Sequence, residues 1–411
     1  MTSRSITIVG AGHSGLQLAI GLLDAGYDVT LISNRTPEQL RNGPIASSQC
    51  MFDAARGHER DLGLDLWPDA PTVDGISFTV APPQAQGIKA TSWAHRLDAP
   101  AQSVDQRLKF PAFMELFEAR GGTLIYEEAG VHDLERYAAK SELVLVAAGK
   151  GEIAQLFERD SGRSQHAEPQ RALALTYVHG MRPREEFSAV NFNLIPGVGE
   201  YFVFPALTVT GPCEIMVLEG LPGSDMDSWK GLGPEEHLEN SLRILRTYLP
   251  WEAERCTDVQ LTDPNGVLQG RYPPTVRHPL ATLPSGATVL GMADVVVLND
   301  PITGQGSNNA AKCAAAYLDG IVGRGDRAYD DAFKRGLFED YWTYAKHVVA
   351  WTNTMLAPPA PHALQVLGAA QENAAIAKRF ANGFDHPPDF ADWFMSEEAA
   401  AAYLVSFESE R

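Results

Sequence analysis

Cysteine is scarce in this chain: Cys50, Cys213, Cys256 and Cys313 are scattered through 411 residues, with no CxxC pair and no histidine at metal-ligand spacing. Four are too few to staple a chain of this size, so a disulfide scaffold and a zinc site are excluded, and free thiols in a cytoplasmic setting are expected. Long apolar runs are missing as well. None approaches the ~18 uncharged residues of a membrane-spanning helix. A first strand starting by Ser5 leaves no room for the charged and apolar regions of a signal peptide. Positive charge is in deficit, with 33 Lys and Arg against 52 Asp and Glu, a net charge of −19. That balance argues against nucleic acid or an anionic membrane as a partner. No Ser-His-Asp or paired-carboxylate arrangement announces hydrolytic chemistry, and no metal is expected.

Glycine, by contrast, is placed with purpose. Ile6-Thr7-Ile8-Val9 is a β-branched run suited to a buried parallel strand, and it stops at Gly10-Ala11-Gly12-His13-Ser14-Gly15. An apolar helical face from Leu16 to Ala25 follows, then Gly26 as its cap and a second strand from Asp28 to Ser33. In that context Gly10 permits a tight turn, Gly12 lets backbone approach a pyrophosphate and Gly15 allows helix and strand to pack closely. His13 and Ser14 complete the turn, where free N–H groups at a helix start face the phosphates. The acidic residue expected at the end of the second strand is absent. Asn34 and Arg35 stand there instead, as candidates for ribose and adenine contacts.

A second glycine cluster decides which dinucleotide. A short strand from Ala287 to Gly291 leads to Asp294, whose carboxylate can accept hydrogen bonds from a ribityl chain. Pro301 stiffens the approach to Gly304-Gln305-Gly306, and an alanine-rich helix is expected from Asn308 to Leu318. Gly304 and Gly306 free the backbone to approach a flat ring, and the new helix aims N–H groups at it. The cluster, with Ser307 and Asn308, therefore points to FAD. Between the two, Arg107 precedes an amphipathic helix from Pro111 to Arg120 and is a candidate to neutralise the pyrophosphate. A strand from Leu143 to Ala147 ends at Gly149, which is counted with the cofactor residues.

These segments, together with Ala99 to Arg107, Glu118-Ala119-Arg120-Gly121-Gly122, Pro169 to Leu173, Asp300-Pro301 and Trp351-Thr352-Asn353, run in the order found in the styrene/indole monooxygenases. The chain resembles that family, the two-component FAD-dependent epoxidases, over nearly its whole length. The resemblance implies an enzyme that receives reduced FAD from an NADH-dependent flavin reductase and uses dioxygen to oxygenate an electron-rich double bond. Ala147-Ala148-Gly149 lacks the Asp-Gly motif of self-sufficient hydroxylases, which agrees with a separate reductase. Indole-type members carry Ser, Gln and Met at alternate loop positions, an aliphatic pair and an alanine; here Ser47, Gln49, Met51, Val73, Ile76 and Ala101 match. Styrene-type members carry Asn, Val, His, Tyr, His and Ser at those places. Ser47 or Gln49 can accept a hydrogen bond from an indole N–H, while Met51, Val73 and Ile76 supply an apolar wall. Val217 and Ile302 are added to this pocket. The resemblance also makes the backbone of Gly304 and Gln305 the candidate for stabilising an anionic flavin, with Asn308 near the reacting oxygen or substrate.

The fold expected is α/β: a Rossmann-like FAD-binding domain (1–165 and 286–325), a mixed β-sheet substrate domain (166–285) and a helical C-terminal region (326–411). The leading expectation is an indole epoxidase whose product leads to indoxyl and indigo. A styrene epoxidase, a self-sufficient NAD(P)H hydroxylase and a non-catalytic flavin-fold binding protein remain alternatives, and a homodimer is left open.

Overall fold

The computed structural model describes residues 4–149 and 151–408. The first part of the chain folds as β1 (Ser5–Val9), α1 (His13–Asp24), β2 (Asp28–Ser33), α2 (Pro37–Arg41), β3 (Cys50–Met51), α3 (Asp53–Asp61), β4 (Thr72–Val80), β5 (Thr91–Ser103), α4 (Gln106–Ala119), β6 (Thr123–Tyr126), α5 (Val131–Ala138) and β7 (Leu143–Val146). The middle gives β8 (Ala172–His179), β9 (Ala189–Ile195), β10 (Gly199–Thr208), β11 (Gly211–Gly220), α6 (Pro234–Tyr248), α7 (Pro250–Arg255), β12 (Gln260–Leu261) and β13 (Val267–Gly270). It continues through β14 (Thr275–Val276), β15 (Leu280–Thr282), β16 (Thr288–Gly291), β17 (Val297–Leu298) and α8 (Gly306–Arg324). The last part is helical: α9 (Asp331–Leu356), α10 (Pro361–Ala369), α11 (Ala374–Gly383) and α12 (Glu397–Glu408).

Two large sheets organise these elements. The first has six strands in the order β15-β16-β7-β1-β2-β6, parallel except for the β15–β16 hairpin. Its central strands are buried almost throughout because helices cover both faces, as a parallel sheet requires. The second sheet has nine strands and is mixed, with β4 lying parallel to β9 and antiparallel to β5. Alternate residues of its strands enter two cores. Phe202, Phe204, Ile215 and Val217 face Trp351 and Leu356 of α9, while Tyr201, Val203, Met216 and Leu218 face Ile244 and Leu245 of α6. Helix α9 joins the two halves: Leu337, Phe338 and Tyr341 pack under the first sheet, and Trp351 further along packs against the second.

The α/β architecture is the one expected, but the boundaries shift. β3, β4 and β5, from within the expected FAD-binding segment, belong to the second sheet, and β15, from the expected substrate segment, belongs to the first. Strand pairing, not chain continuity, decides membership: β4 finds β9 as a partner more than a hundred residues away. The helix expected at 111–120 begins at Gln106 and carries Pro111 inside it, because the Asp105 side chain caps it by accepting the Arg107 N–H. The helix expected from Asn308 already starts at Gly306 and runs on to Arg324. All four cysteines are free and buried. Among the described residues no helix is long and apolar enough to cross a membrane.

Candidate active site

The turn after β1 is built by three glycines with three different constraints. Gly10 has φ +118°, and a Cβ there would sit 2.6 Å from the Ala148 nitrogen, so the turn packs onto the end of β7. A Cβ on Gly15 would lie 2.0 Å from the Gly10 carbonyl oxygen. A Cβ on Gly12 would meet nothing within 4 Å, which is the open approach a pyrophosphate needs. No side chain caps α1, so its first N–H groups are left to a ligand. His13 and Ser14 are buried in its first turn.

The second cluster comes to the same edge of the first sheet. β16 lies beside β7 with Gly291 opposite Val146, and a Cβ on Gly149 would be 3.0 Å from Asp294 Cβ. Asp294 is exposed just beyond β16, after Ala293 at φ 48°. Beyond it, Asp300 Oδ1 accepts the Ile302 N–H at 3.1 Å and fixes the short turn that begins at Pro301. Gly304 adopts φ +64°, and neither it nor Gly306 would bring a Cβ within 4 Å of anything. Helix α8 also starts without a side-chain cap, with Ser307 buried in its first turn. Gln305 donates to Phe384 O at 2.9 Å, and its Oε1 is buried without a donor. Both amide atoms of Asn309 are likewise buried and unpaired. Two uncapped helix starts, three open glycine approaches and orphaned buried polar atoms fit an FAD lying across this edge. Asn34 and Arg35 stand exposed at the end of β2, where such a fold meets the ribose.

Three expected contacts are corrected. Arg107 does not offer its guanidinium to a pyrophosphate: its donors reach Asp105 at 2.9 Å, Asp263 at 2.9 and 3.0 Å and Thr208 at 3.0 Å. It is a buried bracket between α4 and the second sheet, because two carboxylates nearby already match its charge. Asn308 does not point free toward a substrate either. Its Oδ1 accepts the Phe52 N–H at 2.9 Å, and its Nδ2 donates to Cys50 O and Gly304 O at 2.9 and 3.0 Å. It clips the loop at 50–52 to the glycine cluster. Met51 leaves the pocket wall: successive residues of β3 face opposite sides, so Cys50 enters the large apolar cluster while Met51 packs with Ala55 and Ala311. Lys109 Nζ lies 3.3 Å from its sulfur.

The remaining residues expected in the pocket lie in the apolar core of the second sheet or at its edge. Val73, Ile76, Ala101, Val217 and Ile302 share one buried cluster with Trp351 and Tyr177. At its edge Tyr177 donates to Ser47 O at 2.6 Å, which leaves its oxygen only as an acceptor for Gln49 Nε2 at 2.9 Å. That chain fixes the amide orientation, so Gln49 Oε1 is buried with no donor. Ser47 Oγ is turned to the Gln49 N–H at 3.3 Å. A separate cavity of about 310 Å³ lies further along the same sheet face, among Phe78, Phe192, Leu356, Pro359, Arg171 and Glu200.

A buried trio that the sequence did not reveal backs the turn after β1. Glu59 receives Lys109 Nζ at 2.7 and 2.9 Å and lies 3.0 Å from His13 Nε2. Burial alone would raise its pKa, but Lys109 and His13 outweigh it and hold Glu59 down at about 2. The three come from different helices, and nothing in their local patterns sets them apart from surface charges.

With this geometry in hand, the relatives are informative. A family profile described as "Styrene monooxygenase A putative substrate binding domain" matches residues 149–255, the stretch holding β8 to β11, α6 and α7. The chain is 30% identical over 406 residues to styrene monooxygenase StyA of Pseudomonas fluorescens, covering 96% of each chain. It is 29% identical to the StyA of a Pseudomonas sp., covering 98% of each. In fold it is similar to the flavin-dependent brominase Bmp2, with a TM-score of 0.68 at 13% identity over 100% of this chain and 99% of that one. A flavoprotein/dehydrogenase from Cytophaga hutchinsonii gives 0.68 at 11% identity, over 99% and 100%.

Proposed function

The chain belongs to the styrene monooxygenase family, and we propose that within it the chain epoxidises the C2=C3 bond of indole, leading to indoxyl and indigo. As a flavin-dependent monooxygenase it is an oxidoreductase for which the family implies FAD and dioxygen. Bound FAD, delivered in reduced form by an NADH-dependent flavin reductase, supplies the redox chemistry that activates dioxygen.

The chain's own groups have simpler tasks. Gly12 and the start of α1 would receive the phosphates of bound FAD, and Asp294 would accept from its ribityl hydroxyls. The start of α8, with the Gly304 and Gln305 backbone, would face the ring and offset negative charge on it. Val73, Ile76, Ala101, Val217 and Ile302 hold the substrate and exclude water. The single observation that favours indole is Gln49 Oε1, a buried acceptor lacking a donor. Indole brings an N–H to it, and styrene brings none.

The test is expression of the chain with a flavin reductase, NADH and indole. Blue pigment and indole-dependent oxygen uptake are expected, and their absence sinks the indole reading. The second reading is styrene epoxidation, which the names of the two relatives favour. Competition between indole and styrene for externally reduced FAD separates the two.

A further inference from the structure

Three adjacent strands of the second sheet place charge on an otherwise apolar face. On β11, Glu219 follows Ile215 and Val217 at the same two-residue spacing; on β10, Glu200 precedes Phe202 and Phe204; Arg171 precedes Leu175 and Tyr177 of β8 in the same phase. The register sets Glu200 directly opposite Glu219, and the two are 3% and 0% exposed. Like charges so placed are destabilising unless something intervenes. Arg171 answers only one of them. Its Nε and one terminal nitrogen donate to Glu200 at 2.7 and 2.9 Å, and its other contacts go to Gln170 O and Leu356 O. Glu219 is left with both oxygens buried and no donor. Its neighbour within hydrogen-bonding reach is Asp300, itself 1% exposed, whose Oδ1 holds the Ile302 N–H. Two carboxylates cannot bond to each other; with one proton between them the contact becomes a charge-assisted hydrogen bond.

We propose that Glu219 is a protonated carboxylic acid donating to Asp300, and that this one-proton pair positions the 301–304 turn against the flavin. Asp300 keeps the negative charge because it also receives the Ile302 N–H. Burial first, then Asp300 and Glu200, push Glu219 well above the ordinary carboxyl value, and Arg171 opposes them. Tyr272, whose hydroxyl donates to Asn299 O, is the other titratable group facing the pair. Glu200 and Arg171, the pair's charged neighbours on this face, line the 310 Å³ cavity. When that proton leaves to water, the pair passes from one negative charge to two in a dry site. Repulsion then drives Asp300 off the Ile302 N–H, and the turn that presents Gly304 loosens.

The positioning role rests on 301–306 being the flavin loop, and the experiment separates the two claims. Infrared difference spectroscopy of the flavin-free protein should show a protonated carboxylic-acid carbonyl band that Glu219→Gln removes. Asp300→Asn, which keeps an acceptor for Ile302, should shift the band instead, because burial still keeps Glu219 protonated while its charged acceptor is gone. An unchanged band in both variants overturns the shared proton, whatever the loop binds. FAD affinity, followed by fluorescence quenching toward alkaline pH, should weaken about tenfold per pH unit once the pair ionises. Glu219→Gln, with a permanent donor, should stay flat, and a variant that keeps the wild-type slope overturns the positioning role. The band without any FAD binding overturns both the positioning role and the flavin reading, while the shared proton stands.

Discussion

Replacing Gln49 by leucine tests the substrate assignment at one atom. Oε1 of Gln49 is buried without a donor because the Tyr177 hydroxyl, spent on Ser47 O, holds the amide nitrogen. An unpaired buried acceptor costs about 1–3 kcal/mol. Bound indole relieves that cost and bound styrene does not. At 1.4 kcal/mol per tenfold, the difference favours indole by about 5- to 150-fold in kcat/KM. Leucine has similar bulk and no acceptor, so the indole-to-styrene ratio should fall by that factor, mainly through slower turnover of indole. Gln49 sits at φ 39°, which leucine adopts at some cost, so Gln49→Asn is the companion variant. Asparagine accepts that backbone readily but withdraws the amide by one methylene, and it should lose part of the preference. The assay is product analysis with both substrates in competition and chemically reduced FAD in air. N-methylindole, which has no N–H, should behave like styrene. A ratio that moves less than about twofold in Gln49→Leu, with N-methylindole used as well as indole, refutes the reasoning.

Three further outcomes follow from the geometry. Gly12→Ala should fold normally and lose FAD affinity, since its new methyl meets only ligand space, whereas Gly15→Ala should lower the stability of the flavin-free protein by driving into Gly10 O; equal melting temperatures for the two contradict this division. Arg107→Ala should cost about 3–5 kcal/mol in urea denaturation, because it strands the buried Asp105 carboxylate; full stability with lost FAD affinity instead restores the pyrophosphate role. Glu59, held at about 2 against an ordinary 4.5, stabilises the fold above about pH 4.5 and loses that contribution as pH falls toward 2. Glu59→Gln should therefore flatten this part of the acid-unfolding curve, and curves that stay parallel to wild type contradict the pairing.

The parts of the site that were legible in the sequence are those governed by backbone. Gly10, Gly12 and Gly15 carry constraints that a strand–turn–helix pattern exposes, and Asp294 and Gly149 meet because parallel strands end on one edge. What escaped was the commitment of side chains. Arg107, Asn308 and Met51 were read as free to face a ligand, yet their partners, among them Asp263, Phe52 and Lys109, lie dozens to hundreds of residues away. No local pattern marks an arginine as already paired. Glu219 is an intermediate case: its spacing from Ile215 and Val217 puts a carboxyl on the inward face, a signal open to sequence reading. Strand pairing was the least legible of all, since the alternation in β4 and β5 says that they are strands but not which sheet they join.

That pairing governs how the protein can be made. When residues 1–150 have left the ribosome, β7 still lacks β16, which completes its edge only with residues 288–291. β4 meanwhile waits for β9, beginning at residue 189. Neither sheet can close on an N-terminal fragment, and the glycine turn at 301–306 arrives after both. Nascent chains should stay protease-sensitive and dependent on chaperones until the C-terminal helices that close both cores emerge, then become resistant in a single step. Splitting the gene between the nominal domains should give two insoluble halves rather than two working modules.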